Sequence, residues 1–577
     1  MHGETAEGSG VDIGQNATLT GGGTNDLLAV TGNASGDAGT GVQLDGNNTL
    51  DNTTLAGNAS EGTGIDIDGP LTNKGNSTVD GKATDGDGVQ LNGAISGGTV
   101  NGSSDTGSGI KVDGDSELDN ATLNGNSPDG KGIEIVANLT GNHGSAVHGE
   151  TAEGSGVDIG QNATLTGGGT NDLLAVTGNA SGDAGTGVQL DGNNTLDNTT
   201  LAGNASEGTG IDIDGPLTNK GNSTVDGKAT DGDGVQLNGA ISGGTVNGSS
   251  DTGSGIKVDG DSELDNATLN GNSPDGKGIE IVANLTGNHG SAVHGETAEG
   301  SGVDIGQNAT LTGGGTNDLL AVTGNASGDT GTGVQLDGNN TLDNTTLAGN
   351  ANDGHGLEVT GPVSSTGNTT INGNTVGDGY GVHIDGPMSG GLVNGNSANN
   401  HGIYLNDYAA INNITFGGNA GLGKPLMFIA LPENIGSNVT INGKPIDKNS
   451  VGGRTNSGST LISTSAPTPT SAPTPTSAPT SLLTPILISG ENTILEQITQ
   501  PQEISKHGLL MMKRNQILSS LDEQILPPLV VTESERDIAA NISVVVCIPE
   551  GETTESGPCD THILGKWKPL TQTAKQK

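Results

Sequence analysis

The chain has 577 residues, a formal net charge of -46, 104 glycines and only six aromatic residues: Tyr380, Tyr404, Tyr408, Phe416, Phe428 and Trp567. That composition excludes an ordinary globular core, which leans on aromatic side chains for buried area, and the regular placement of Val, Leu and Ile speaks against an acidic disordered tract. Nucleic acid and anionic lipid are excluded as partners, because each complete copy of the long repeat holds 20 acidic residues against 4 lysines and no arginine.

The chain opens with "MHGETAEGSG", which lacks the basic and apolar regions of a signal peptide. No apolar run approaches the roughly 18 residues of a membrane-spanning helix, so no membrane insertion is expected. The segment "HGETAEGSGVDIGQNATLT" starts at His2, His148 and His294, a period of 146 residues. The first two copies are identical. The third follows them to Ala351, apart from Thr330, and then diverges. Met1 stands where the second copy has Val147, which predicts that the chain continues a longer array whose amino-terminal part is missing.

A shorter unit recurs inside each copy: Gly-x-Gly, then aliphatic, variable, aliphatic, as in "GSGVDI", "GTGVQL" and "GKGIEI". Its second glycine falls at Gly10, Gly41, Gly64, Gly88, Gly109, Gly132 and Gly156, in steps of 31, 23, 24, 21, 23 and 24 residues. Such periods mark a solenoid. Aliphatics two apart, as at Ile65 and Ile67, have strand periodicity, and the Gly, Asn and Asp between them suit tight turns. The predicted fold is therefore all-β, a right-handed parallel β-helix of about 18 coils of 21–31 residues, roughly 86 Å long at about 4.8 Å per coil.

Stacking predicts two inward ladders, Val11, Val42, Ile65, Val89, Ile110, Ile133 and Ile13, Leu44, Ile67, Leu91, Val112, Ile135. Between them runs an outward row, Asp12, Gln43, Asp66, Gln90, Lys111, Glu134, in which amides or lysine separate the acids.

The expected divisions are β-helix over 1–425, a cap over 426–450, a Pro/Thr/Ser linker over 451–485 and a small mixed region over 486–577. "HGLLMMKRNQILSSLDEQI" in the last region has the pattern of a short amphipathic helix. Cys547 and Cys559, joined through "IPEGETTESGP", suit a disulfide loop in an oxidising compartment, worth on the order of 3 kcal/mol. Reduced, they would be a thiol pair or half of a zinc site.

One copy holds nine Asn-x-Ser/Thr triplets, at Asn16, Asn33, Asn47, Asn52, Asn58, Asn76, Asn101, Asn120 and Asn138. All are placed in or beside predicted turns as glycosylation candidates. Carboxylate pairs such as Asp66 with Asp68 and Asp85 with Asp87 raise the question of glycosidase chemistry. They recur in identical copies, whereas a catalytic site is single and asymmetric, so no catalysis, cofactor or metal is expected. The nine-residue glycine/aspartate repeat of calcium-binding β-rolls is missing as well.

The Gly/Asn/Thr-rich coils, the dense triplets and the pair in "CIPEGETTESGPC" resemble the exoproteins of bacterial two-partner (type V) secretion, of the filamentous haemagglutinin, high-molecular-weight adhesin and EtpA-like kind, in their carboxy-terminal portion. That resemblance implies a secreted or cell-surface adhesin bound to a host-cell or bacterial surface glycan or protein. It also implies retention at an outer-membrane secretion pore through Cys547 and Cys559, and sugars on the asparagines. The competing expectations are a structural spacer or autotransporter-like passenger fragment, and a polysaccharide-active enzyme.

Overall fold

The computed structural model describes residues 1–446, except 25, 407–408 and 430–433, together with three two-residue strands, Thr460–Leu461, Val544–Val545 and Ile563–Leu564. The chain divides into two compact units, Met1–Thr468 and Pro469–Lys577. The first is a right-handed parallel β-helix, and no α-helix occurs among the described residues.

Each coil contributes three strands, one to each of three parallel sheets. In one coil these are Thr53–Ala59 in the first sheet, Ile65–Asp68 in the second and Leu71–Lys74 in the third. The third sheet has 17 strands, marking 17 complete coils; an eighteenth begins at Thr415–Ala420 and continues into Leu426–Phe428. The Gly-x-Gly unit is the entry to the second sheet.

Both predicted ladders hold. Val42 pairs with Ile65, Ile65 with Val89, Val89 with Ile110 and Ile110 with Ile133, and each of these side chains is 0% exposed. The first sheet adds an inward ladder that carries no sequence doublet, Val30, Leu55, Val79, Val100, Leu123 and Val147. The third adds the buried Leu50, Leu71, Ile95, Leu118 and Leu139, of which Leu71, Ile95 and Leu118 stack directly, while Leu50 faces Asn73 and Leu139 faces Ser116, a shift of two residues. A coil thus buries about four aliphatic side chains, each worth roughly 1.5–3 kcal/mol, in place of an aromatic core.

The second glycine of Gly-x-Gly is needed for space, not for a left-handed backbone. At the narrow corner between the first and second sheets a Cβ on Gly57 would lie 2.1 Å from the Gly64 carbonyl oxygen, and one on Gly64 would lie 2.4 Å from that of Gly88. Apart from Gly8, positive φ belongs to the other corners, as at Asn16 (62°), Asn52 (50°) and Asn120 (50°). The 31-residue coils carry an excursion closed by a bridge between Gly23 and Asp26, repeated at Gly169 with Asp172. The Asp172 carboxylate fastens it to the coil before by accepting the backbone N–H groups of His143 at 2.7 Å and Gly144 at 2.8 Å.

The outward row on the second sheet corrects one expectation. Acids alternate with amides or lysine within a copy, but where copies meet Glu134 stacks directly on Asp158. Lys131 relieves the repulsion: its Nζ lies 2.6 Å from Glu134 and 3.0 Å from Asp158, with Lys111 3.4 Å from Glu134. The same bridge recurs at Lys277, 2.6 Å from Asp304.

Parallel stacking ends near residue 441. Thr440–Ile441 pairs in parallel with Thr415–Phe416 and then antiparallel with Lys444–Pro445, while Thr460–Leu461 lies antiparallel on Met427–Phe428. Phe416, Phe428, Ile435 and Ile441 are buried there. In the second unit Val544–Val545 pairs antiparallel with Ile563–Leu564. The cysteine pair, the amphipathic stretch and all of the linker except Thr460–Leu461 lie outside the described residues.

Candidate functional site

The outer face of the first sheet is a straight polar groove running along the solenoid. Its strands alternate, so that in "VDGK" Val79 and Gly81 point inward while Asp80 and Lys82 point outward. Register then builds two outward rows. One runs Ala56, Asp80, Asn101, Asn124, His148; the other runs Asn58, Lys82, Ser103, Asn126, Glu150. Between them the floor is the backbone of Gly81, Gly102 and Gly125, which stack in register. These residues enclose a groove of about 500 Å³ spanning five coils. A second, of about 570 Å³, is lined by the equivalent residues from Ala202 to Glu296.

The walls are mainly neutral hydrogen-bonding groups, joined head to tail. Asn101 Nδ2 donates to Asp80 Oδ1 at 2.6 Å, and Asn124 Nδ2 to Asn101 Oδ1 at 3.0 Å. An amide so engaged still has a second N–H and a lone pair for a ligand. Burial holds the His294 imidazole below its usual value, which leaves that wall position neutral near pH 7. In the diverged coils the face is kept: Asn325, Asn350, Asn374, Asn396 and Asn419 form an unbroken amide ladder with bonds of 2.7–3.0 Å.

A different surface appears on the second sheet after residue 351, where the outward row becomes Glu358, His383 and Tyr404. Tyr380 stacks on His355 (5.1 Å between centroids, 6° between planes), on Tyr404 (4.5 Å, 8°) and on His401 (5.9 Å, 2°). Each ring lies against one of a neighbouring coil, so the faces are used within the ladder.

His355, Glu358 and His383 bring three donor atoms within 4.8 Å of one another, the one group of metal-ligating type among the described residues. Two contacts oppose an ion there. His355 Nδ1 accepts the backbone N–H of Tyr380 at 3.0 Å, which puts the proton of the neutral ring on Nε2. His383 has Glu358 Oε1 3.1 Å from Nδ1 and Asp385 Oδ1 3.2 Å from Nε2, so both of its ring nitrogens are already engaged by carboxylates. The His383 contact also draws the Glu358 carboxyl below its usual value. Sequence spacing does not reveal this cluster, because His355 and Glu358 lie on one coil and His383 on the next, 25 residues beyond Glu358.

The nine candidate asparagines sort into three lines. Asn16, Asn47 and Asn138 sit at the corner between second and third sheets, and Asn52, Asn76 and Asn120 at the corner between third and first. Asn33, Asn58 and Asn101 are not at turns: they lie within strands of the first sheet, on the groove face, because the strand runs on through the Gly-Asn pair or the Asn-Gly pair. Asn58 Nδ2 donates to Asn33 Oδ1 at 2.8 Å. Asp66 and Asp68 both point outward from the second sheet, and burial, with Asp68 next, raises the Asp66 carboxyl.

No protein-family model, curated protein or solved structure matches the chain.

Proposed function

We propose that this protein is a non-catalytic attachment rod, a secreted or surface-associated adhesin segment that holds a cell or surface ligand along its first sheet. The observation that carries this reading is the groove's repetition: the same residues line it twice, 146 positions apart, and its amide wall continues into the coils where the rest of the repeat diverges. Repetition favours avidity, since a second engagement on one rod is intramolecular. It disfavours catalysis, which needs one acid–base set held in one geometry. Sugars on the two corner lines of asparagines would coat the rod and leave the groove open, whereas modification of Asn58 or Asn101 would obstruct it.

The test is labelled full-length protein applied to epithelial cells and to bacteria, alongside incubation with soluble polysaccharides. Saturable binding competed by unlabelled protein, without new reducing ends, is the expected result. Release of reducing ends would replace the proposal with an enzyme, and absence of binding to any surface would leave a spacer.

A further inference from the structure

Resting on that reading, we infer that the groove takes a linear, neutral, β-1,4-linked pyranose polymer laid along the rod axis, about one sugar per coil. The first reason is spacing. Equivalent wall groups recur at the strand separation of about 4.8 Å, and an extended β-1,4-linked chain advances by nearly that distance per sugar. Hydroxyls of successive sugars therefore meet successive wall pairs, Asp80 with Lys82, Asn101 with Ser103, Asn124 with Asn126 and His148 with Glu150. A helical α-linked chain would leave the groove after one or two contacts.

The second reason is chemistry. Amides and hydroxyls offer donor and acceptor together, which suits sugar hydroxyl and acetamido groups. The residues between the rows, Gly81, Gly102 and Gly125, point inward, so the floor is backbone alone and a flat ring can approach it. Charge decides against the alternatives. The net charge of -46 repels a polyanion, and the two acids of each groove, Asp80 with Lys82 beside it and Glu150 three coils on, give a polycation no row of carboxylates to pair with. A peptide strand would seek unpaired backbone at a sheet edge, and in these central coils each first-sheet strand is paired on both sides.

The experiment is calorimetric titration of the full chain with β-1,4-linked glucose and N-acetylglucosamine oligomers, from the disaccharide upward, with the α-1,4-linked glucose hexamer as control. Affinity should climb with length until the oligomer spans about the five coils of the groove and then level off, and the α-linked hexamer should not bind. The paired variant Ala56→Trp with Ala202→Trp fills the groove mouth from a position outside the amide ladders. It should weaken binding by about tenfold or more, whereas Leu422→Ser, at an exposed site elsewhere, should leave it unchanged. Length-independent affinity, equal binding of the α-linked hexamer, or undiminished binding by the tryptophan variant would overturn the inference. If cells are still bound while every β-linked oligomer fails, the ligand class is wrong and the attachment role stands.

Discussion

Coils before and after residue 351 share one backbone and differ in what stacks on it. In the repeated coils the outward row of the second sheet mixes carboxylates, amides and lysine, and where copies meet Lys131 holds Glu134 and Asp158 together. In the diverged coils the same row and its neighbour carry His355, Tyr380, His383, His401 and Tyr404, stacked ring on ring. The interior changes less: Ile371, Val382 and Ile384 are as buried as Leu201, Ile211 and Ile213. A solenoid is thus a scaffold whose faces vary independently, since each coil needs only its own inward residues and its neighbours'.

The largest effect should come from the shared interior. Leu201→Ala removes a fully buried side chain in the middle of the stack and should cost about 2–5 kcal/mol, read as a lower first transition in thermal melting. The same change at Ile371 should cost as much; a far smaller loss there would mean that the diverged coils are packed differently. Next in size, Tyr380→Ala removes three stacked partners at about 0.5–1.5 kcal/mol each. Melting should then begin at the carboxy-terminal coils, with the repeated coils unmoved. A uniform shift of the whole curve would show that the two regions unfold as one.

A smaller effect separates the regions by sign. In the repeated coils, burial, then Asp214, Asp259 and Asp191, raises the Asp212 carboxyl from 3.8 to about 6. The folded state takes up that proton before the unfolded chain does, so stability there rises as pH falls from about 6 towards 3.8. In the diverged coils burial, with His383 next, lowers His355, and burial, with Lys424 next, lowers His401, both from 6.5. Here the unfolded chain protonates first, so stability is complete above pH 6.5 and is lost as pH falls below it. Protonated His355 would also lose the Tyr380 N–H bond. Amide exchange, corrected for intrinsic rates, should slow around Asp212 and quicken around Tyr380 between pH 7 and pH 5. Equal signs in both regions would break the contrast.

The second sheet was legible in the sequence because it announces itself locally, with two inward aliphatics around one polar residue after Gly-x-Gly. Most first-sheet strands have one large inward aliphatic, Leu174 with Val176 being an exception, and in "TTLAGNA" the neighbouring inward positions are Thr53 and Gly57, so it shows no alternation of apolar and polar residues. The groove was illegible for a further reason. Its rows exist only once coils of 21 to 31 residues are brought into register, which placed Asn58 beside Lys82 and took Asn33, Asn58 and Asn101 out of the turns assigned to them. The junction contact of Glu134 with Asp158 likewise required knowing which coil follows which.

The most direct test asks which face is covered when ligand binds. Carboxyl groups of the full chain are labelled with a carbodiimide and an amine, with and without a saturating β-1,4-linked N-acetylglucosamine hexamer, and read by mass spectrometry. Protection of Asp80, Glu150 and their copies Asp226 and Glu296, with Glu358 and Asp385 unchanged, is the predicted footprint. Protection at Glu358 and Asp385 with the groove carboxylates still reactive would contradict it, and would move the binding surface to the stacked rings of the diverged coils.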